Sequence, residues 1–132
     1  DAALVELFVY QPFNAKDKTV AEKYGAARYV AYIARAKDAV PQFVDLGEAA
    51  PIDADAAKFR AALQTAKTPE AQVKELARAL DERVMRPVRK LLGDTKRVLL
   101  APDGALNLVP FAALVDESCK WPAKARKLRR LW

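Results

Sequence analysis

Cys119, followed directly by Lys120, is the most direct candidate for covalent chemistry in this chain, because a neighbouring cation lowers a thiol's pKa and favours the nucleophilic thiolate. A thiolate of this kind works with a base that accepts and returns a proton. The chain contains no histidine and one cysteine, so it cannot by itself form a cysteine–histidine or serine–histidine site. Cys119 therefore reads as an incidental residue. The same composition excludes a Cys/His metal centre, and the four glycines are too scattered to form a phosphate-binding loop. No metal or cofactor is expected.

Two pairs of acids invite comparison with acid–base or metal sites: Asp53 with Asp55, and Asp81 with Glu82. Acids one or two residues apart on a helix project in different directions and do not converge on one ligand. Asp53 is better placed as a helix N-cap, and Asp81-Glu82 as part of a solvated helix face. Asp103, Gly104 and Asn107 follow a short apolar run, where the loops of parallel sheets often line a site. The plainer reading is a turn that Pro102 and Asp103 begin and in which Gly104 supplies a positive φ.

Charge singles out the last residues. Of the 23 Lys and Arg residues, six (Lys120, Lys124, Arg126, Lys127, Arg129 and Arg130) lie after Ser118 in a stretch without acids, leaving 17 against the chain's 17 Asp and Glu. The body is neutral and the net charge of +6 belongs to the end segment. If Pro122 begins a helix there, Trp121, Ala125, Leu128 and Trp132 share one face, with Arg126, Lys127 and Arg130 pointing away from it. Such a basic amphipathic helix suits an acidic surface, anionic lipid or a helix-accepting groove. Alternatively, its aromatic residues cover the apolar run before it. Nucleic acid is not an expected partner, because no recognition motif accompanies the charge.

The elements that would position these residues are legible in the patterning. With 132 residues, 52% hydrophobic and 30% charged, the chain has the composition of one soluble globular domain. Leu4–Tyr10 reads as a strand buried on most of both faces and stopped before Pro12. Arg28–Ala34 and Gln42–Leu46 read as two more strands, antiparallel because their connection is short. After Gly47 the period changes to that of helices: a first helix capped by Asp53 and ending near Thr65, and a second begun by Thr68-Pro69-Glu70. The second runs along Val73, Leu76, Ala77, Leu80, Val84, Val88 and Leu91 to Gly93, with a kink or a division expected at Pro87. Lys96–Ala101 reads as an interior parallel strand. Ala105–Val115 is so apolar that it needs further protein to cover it. Charges interrupt every hydrophobic stretch short of the roughly 20 residues that span a bilayer. The opening Asp1–Glu6 has neither the basic region nor the apolar core of a secretory leader. A single cysteine fits a reducing compartment, and a cytoplasmic location is expected.

The segment Leu99-Leu100-Ala101-Pro102-Asp103-Gly104-Ala105-Leu106-Asn107-Leu108-Val109-Pro110-Phe111-Ala112-Ala113-Leu114 resembles the signature of CHAT domains, the caspase-like domains often associated with tetratricopeptide repeats. Leu4–Phe13, Arg28–Arg35, Phe43–Ala49 and Ala79–Asp94 resemble the family's opening strand, hairpin, loop and long helix in the same order. The resemblance covers residues 2–117. It implies an α/β fold with a caspase-like mixed sheet, here incomplete: an antiparallel hairpin part, a helical crossover, then a buried parallel strand. For the complete family domain it implies cysteine peptidase activity by a histidine–cysteine dyad, both members of which lie downstream of the matched segment. Pro102, Asp103, Gly104, Asn107, Pro110 and Phe111 would then have a scaffold role.

From Ser118 the basic segment 118–132 does not resemble the family's continuation, and no catalytic residue carries over. The expectation is an amino-terminal structural portion of such a domain, inactive alone. The alternative is a non-enzymatic module that pairs with a complementary chain, a second copy of itself or a tetratricopeptide-repeat region through its apolar run and the tail residues Trp121, Arg126, Lys127, Leu128, Arg130 and Trp132.

Overall fold

The alternation of small and branched apolar residues in the first strand sets up everything that packs on it. In the computed structural model, which describes residues 2–115, β1 (Ala2–Tyr10) buries Ala3, Val5 and Leu7 and leaves Leu4 and Phe8 open. A strand buried on both faces was expected. Only one face of the sheet is covered among the described residues, and the period-two alternation of a strand then exposes every second side chain.

β2 (Arg28–Arg35) and β3 (Gln42–Glu48) follow. β1 pairs antiparallel with β2, and β2 antiparallel with β3, as the short connection requires. Two helices, α1 (Ala49–Gln64) and α2 (Glu70–Leu92), then cross to β4 (Arg97–Ala101), which lies parallel to β1. The sheet order is β3-β2-β1-β4. β4 was expected to be interior; among the described residues it is an edge strand, with Val98 39% and Leu99 65% exposed. Two short 3₁₀ turns, Gly104–Leu108 and Phe111–Ala113, complete the described chain.

The core lies between the sheet and the helices. Val5, Leu7, Tyr29, Ala31 and Ile33 meet Ile52, Ala56 and Phe59 of α1 and Ala77, Leu80, Val84 and Val88 of α2. These α2 residues recur at the helical period and fix the face that the helix turns inward. Asp81 falls on the same line and is 4% exposed. It does not belong to the solvated face expected of it: both of its carboxylate oxygens accept from the Arg89 guanidinium. Glu82 is exposed, as expected.

The helix ends depart from the patterning in instructive ways. α1 begins at Ala49, four positions before Asp53, with Glu48 at the N-cap and no side-chain cap. Gly47, at φ 99°, lies near the end of β3 where its register with β2 shifts. Pro51 is tolerated because a helix's first turn has no use for its missing amide. At the start of α2, Pro69 occupies the N-cap position and no side chain caps it; the Pro69 carbonyl accepts from the Gln72 and Val73 amides. Thr68 does not cap. α2 also passes through Pro87 as one undivided helix. Val84 and Val88, both 0% exposed, anchor the helix on either side of the proline.

An ion pair and a cap fasten the elements together. Arg83 of α2 reaches Asp55 of α1 at 2.7 Å. Arg35, at the end of β2, donates to the last carbonyls of α2, Leu91 at 3.2 Å and Leu92 at 3.4 Å, where a cation complements the negative end of the helix dipole. The architecture is therefore mixed α/β: a four-stranded mixed sheet carrying two helices, incomplete and not closed. Among the described residues no helix is long and apolar enough to cross a membrane.

Candidate functional site

The loop after β4 is held by its own first residues. The Asp103 carboxylate accepts from the Gly104 amide at 2.7 Å and from the Val9 amide at 3.1 Å. One side chain thus caps the first 3₁₀ turn and ties it to the end of β1. Gly104 takes φ 57°, the positive value expected of a turn here and one that glycine adopts without steric cost. Leu106 is fully buried and Val109 is 7% exposed, so the apolar run Ala105–Val115 is partly absorbed into the chain's own core. Phe111, Leu114 and Val115 pack against that core. Asn107, Leu108 and Pro110 face outward.

Tyr29 is the second anchor. From the middle of the core its hydroxyl donates to Asp53 at 2.7 Å and accepts from the Ala105 amide at 3.2 Å. Burial, reinforced by the Asp53 carboxylate, pushes the phenol's pKa well above its ordinary value. Asp53 is thus not an N-cap but the acceptor that orients a buried phenol beneath the loop. Asp55, two residues on, points instead to Arg83. The two acids diverge, as helix geometry demands.

A third cluster lies on the uncovered face of the sheet. Asp45 accepts two bonds from the Arg28 guanidinium, both at 3.0 Å, one from the Tyr10 hydroxyl at 2.8 Å and one from the Gly47 amide at 2.7 Å. The Arg28 guanidinium above all, with the Tyr10 hydroxyl and the Gly47 amide, holds the Asp45 carboxyl at about 2. Beside it, Phe8, Val30, Tyr32 and Phe43 line a shallow apolar hollow. The Tyr32 and Phe43 rings stand 6.0 Å apart across the strand pair.

Chemically, these carboxylates are already engaged: Asp103 by two amides, Asp53 by a phenol, Asp81 and Asp45 by guanidinium groups. Such groups position backbone and side chains and offer no free base. Among the described residues, no three His, Cys, Asp or Glu side chains could hold a metal ion together. The structure brings Pro102, Asp103 and Gly104 together with Tyr29 and Val9. It leaves Asn107 and Pro110 on the rim of a groove against Arg60, Leu63 and Gln64 of α1. Cys119 and the tail residues Trp121, Arg126, Lys127, Leu128, Arg130 and Trp132 lie outside the described residues.

Patterning alone missed Tyr29 and Arg28, whose partners are 24 and 17 residues away. A signal did exist for Asp81, since it shares the spacing of Ala77, Val84 and Val88, and an acid on an apolar line calls for a buried partner.

No curated protein and no solved structure matches the chain. Residues 74–129 match the family model of the CHAT domain. The match begins within α2, takes in β4 and the loop from Pro102 to Phe111, and continues past residue 117 into the basic segment. Over these residues the chain is similar to the CHAT domain.

Proposed function

We propose that this chain is the amino-terminal structural portion of a CHAT-like, caspase-type cysteine peptidase domain, inactive by itself. Its role in that reading is to supply part of the sheet, the two covering helices and the loop that supports the site. The observation that carries it is the CHAT match in a chain without a single histidine. The family's chemistry needs an imidazole beside the thiol, and no side chain here replaces one. The fastening of Asp103, Gly104 and Tyr29 supports a scaffold role for the loop, and a reducing, cytoplasmic location accords with the single cysteine. The test is proteolysis by the purified chain on peptide and protein substrates, with and without thiol alkylation. No turnover is expected; alkylation-sensitive turnover would refute the reading.

A second reading, a non-enzymatic module that pairs with another chain, is favoured by β4. A parallel strand is ordinarily covered on both sides, and the apolar edge at Val98-Leu99, which has no neighbour among the described residues, is a template for a further strand. The partner would be a complementary chain, a second copy or a tetratricopeptide-repeat region, with the basic tail contributing an acidic-surface contact. Sedimentation of the chain across a concentration series tests self-pairing: a monomer at every concentration would remove the second copy from consideration.

A further inference from the structure

The uncovered face of the sheet holds a hollow of about 350 Å³ with aromatic walls. Val30, 6% exposed, is its floor, with Phe8 and Asp45 across the strands on either side. Tyr10 lies at one end and the Tyr32–Phe43 pair at the other. The walls are held in place by the chain itself: the Tyr10 hydroxyl donates to Asp45 at 2.8 Å, and the Tyr32 and Phe43 rings stand 6.0 Å apart. The charge of Asp45 is answered by Arg28, which donates two bonds at 3.0 Å. That of Glu6 is not. Its register neighbours are Tyr32 on β2 and Ala101 on β4, it is exposed, and its carboxylate meets no cation among the described residues. Leu4 and Phe8, the nearest residues of β1 on the same face, are apolar and 43% and 51% exposed. A carboxylate set among apolar and aromatic side chains attracts a cation more strongly than one surrounded by water.

We propose that this face binds an arginine side chain on an extended segment of another protein. Glu6 pairs with the guanidinium, Tyr32 stacks on it, and the hollow takes an apolar side chain two residues along the segment. Opposed residues of an antiparallel pair have their Cβ atoms about 4.5–5.5 Å apart, so one cation reaches both the Glu6 carboxylate and the Tyr32 ring, within the roughly 6 Å of a cation–π contact. Arginine suits the pair better than lysine, because its planar fork meets a carboxylate with two bonds while its face lies on a ring. Ala101, on the other side of Glu6, is too small to obstruct the approach. The strand sets the spacing: Glu6 and Phe8 are about 6.8 Å apart along β1, the same interval as residues i and i+2 of an extended ligand. The chain's net charge of +6 gives a basic peptide no general attraction, so affinity for one has to come from a local site. The inference does not depend on the peptidase-family reading.

The probe is a fluorescein-labelled peptide, Leu-Thr-Arg-Thr-Leu, titrated with the full chain and read by anisotropy; its two leucines allow either strand direction. A twin peptide carries citrulline, neutral and nearly isosteric, in place of arginine. The full chain is expected to bind the arginine peptide about tenfold more tightly than its twin, the order of one exposed cation–π contact together with one surface ion pair. Glu6→Gln should cut that preference to about threefold, and Tyr32→Leu, which keeps apolar bulk but removes the ring, should reduce it as well. Glu82→Gln removes an exposed carboxylate from α2 and should leave the preference unchanged. The three side chains are exposed, so each variant should retain the parent's far-ultraviolet dichroism and cooperative melt. No binding of the arginine peptide at millimolar chain would overturn the proposal. Equal affinity for the two peptides would do the same, making the face an apolar contact only, as would a Glu6→Gln effect no larger than that of Glu82→Gln. Peptide binding that weakens as the chain self-associates would put a second copy on the face and overturn it too.

Discussion

Gly104 lies so close to Tyr29 that a Cβ added to it would stand 2.6 Å from the phenol oxygen. The same oxygen donates to Asp53 and accepts from Ala105, so one contact fixes where the loop after β4 crosses the core.

Gly104→Ala should therefore destabilise the chain twice over, through a positive φ that alanine resists and through the clash with Tyr29. A cost of about 1–3 kcal/mol is expected from the backbone alone, with the clash adding to it. In a Tyr29→Phe background the clash partner is gone, and the increment caused by Gly104→Ala should shrink. Urea melts of the four chains in this cycle measure it; equal increments in both backgrounds would show that the phenol plays no part.

Tyr29→Phe alone leaves the Asp53 carboxylate without its donor and the Ala105 amide without its acceptor in a partly buried place. The expected loss is about 1–3 kcal/mol, the range for an unsatisfied buried group. It should appear in the denaturation midpoint with no change in slope.

Asp81 and Glu82 are neighbours with opposite fates. Asp81→Asn removes the charge from a bidentate pair with Arg89 on the buried face of α2 and should cost about 1.5–3 kcal/mol, the range for hydrogen bonds to charged groups. Glu82→Gln, on the exposed face, should stay within about 0.5 kcal/mol of the parent. Thermal melts at neutral pH compare the two directly.

Asp45 predicts a pH dependence. Its carboxyl lies at about 2 in the folded chain against an ordinary 3.8. The native state therefore gains from its ionisation above pH 3.8 and loses that gain as pH falls toward 2. Asp45→Asn should be less stable than the parent at pH 6, and the gap should close on acidification through this window. The pair is partly exposed, so salt should also narrow the gap. Melting temperatures from pH 6 down to pH 2 in low and high salt check both statements.

Pro87 removes one amide from a helix that nonetheless runs undivided. Pro87→Ala restores the bond to the Arg83 carbonyl, and a gain of about 1–3 kcal/mol is expected, bounded by proline's cost in a helix interior of about 3 kcal/mol. A melt with no gain would mean that packing at this position requires the ring.

Local patterning determined the order and kind of the elements: three strands, a helical crossover and a parallel strand follow from period-two runs giving way to a 3.6-residue period. It also determined the turn at Asp103-Gly104, where residue types carry their own φ preferences, and the absence of any imidazole, which is composition alone. The stretch around Asp103 was sufficient to show a likeness to CHAT domains, and the family model matches residues 74–129. Tertiary structure decided what each side chain does. Asp53 looks like a cap because capping is local, yet it lies inside α1 and its partner is a tyrosine on β2. Asp81 looks solvated beside Glu82, yet a rotation of one residue on the helix puts it against the core. Leu4, Phe8 and Leu99 look interior because they are apolar, yet helices cover only one side of the described sheet. In each case, periodicity specifies which residues share a face, and only the assembled layers specify what that face meets.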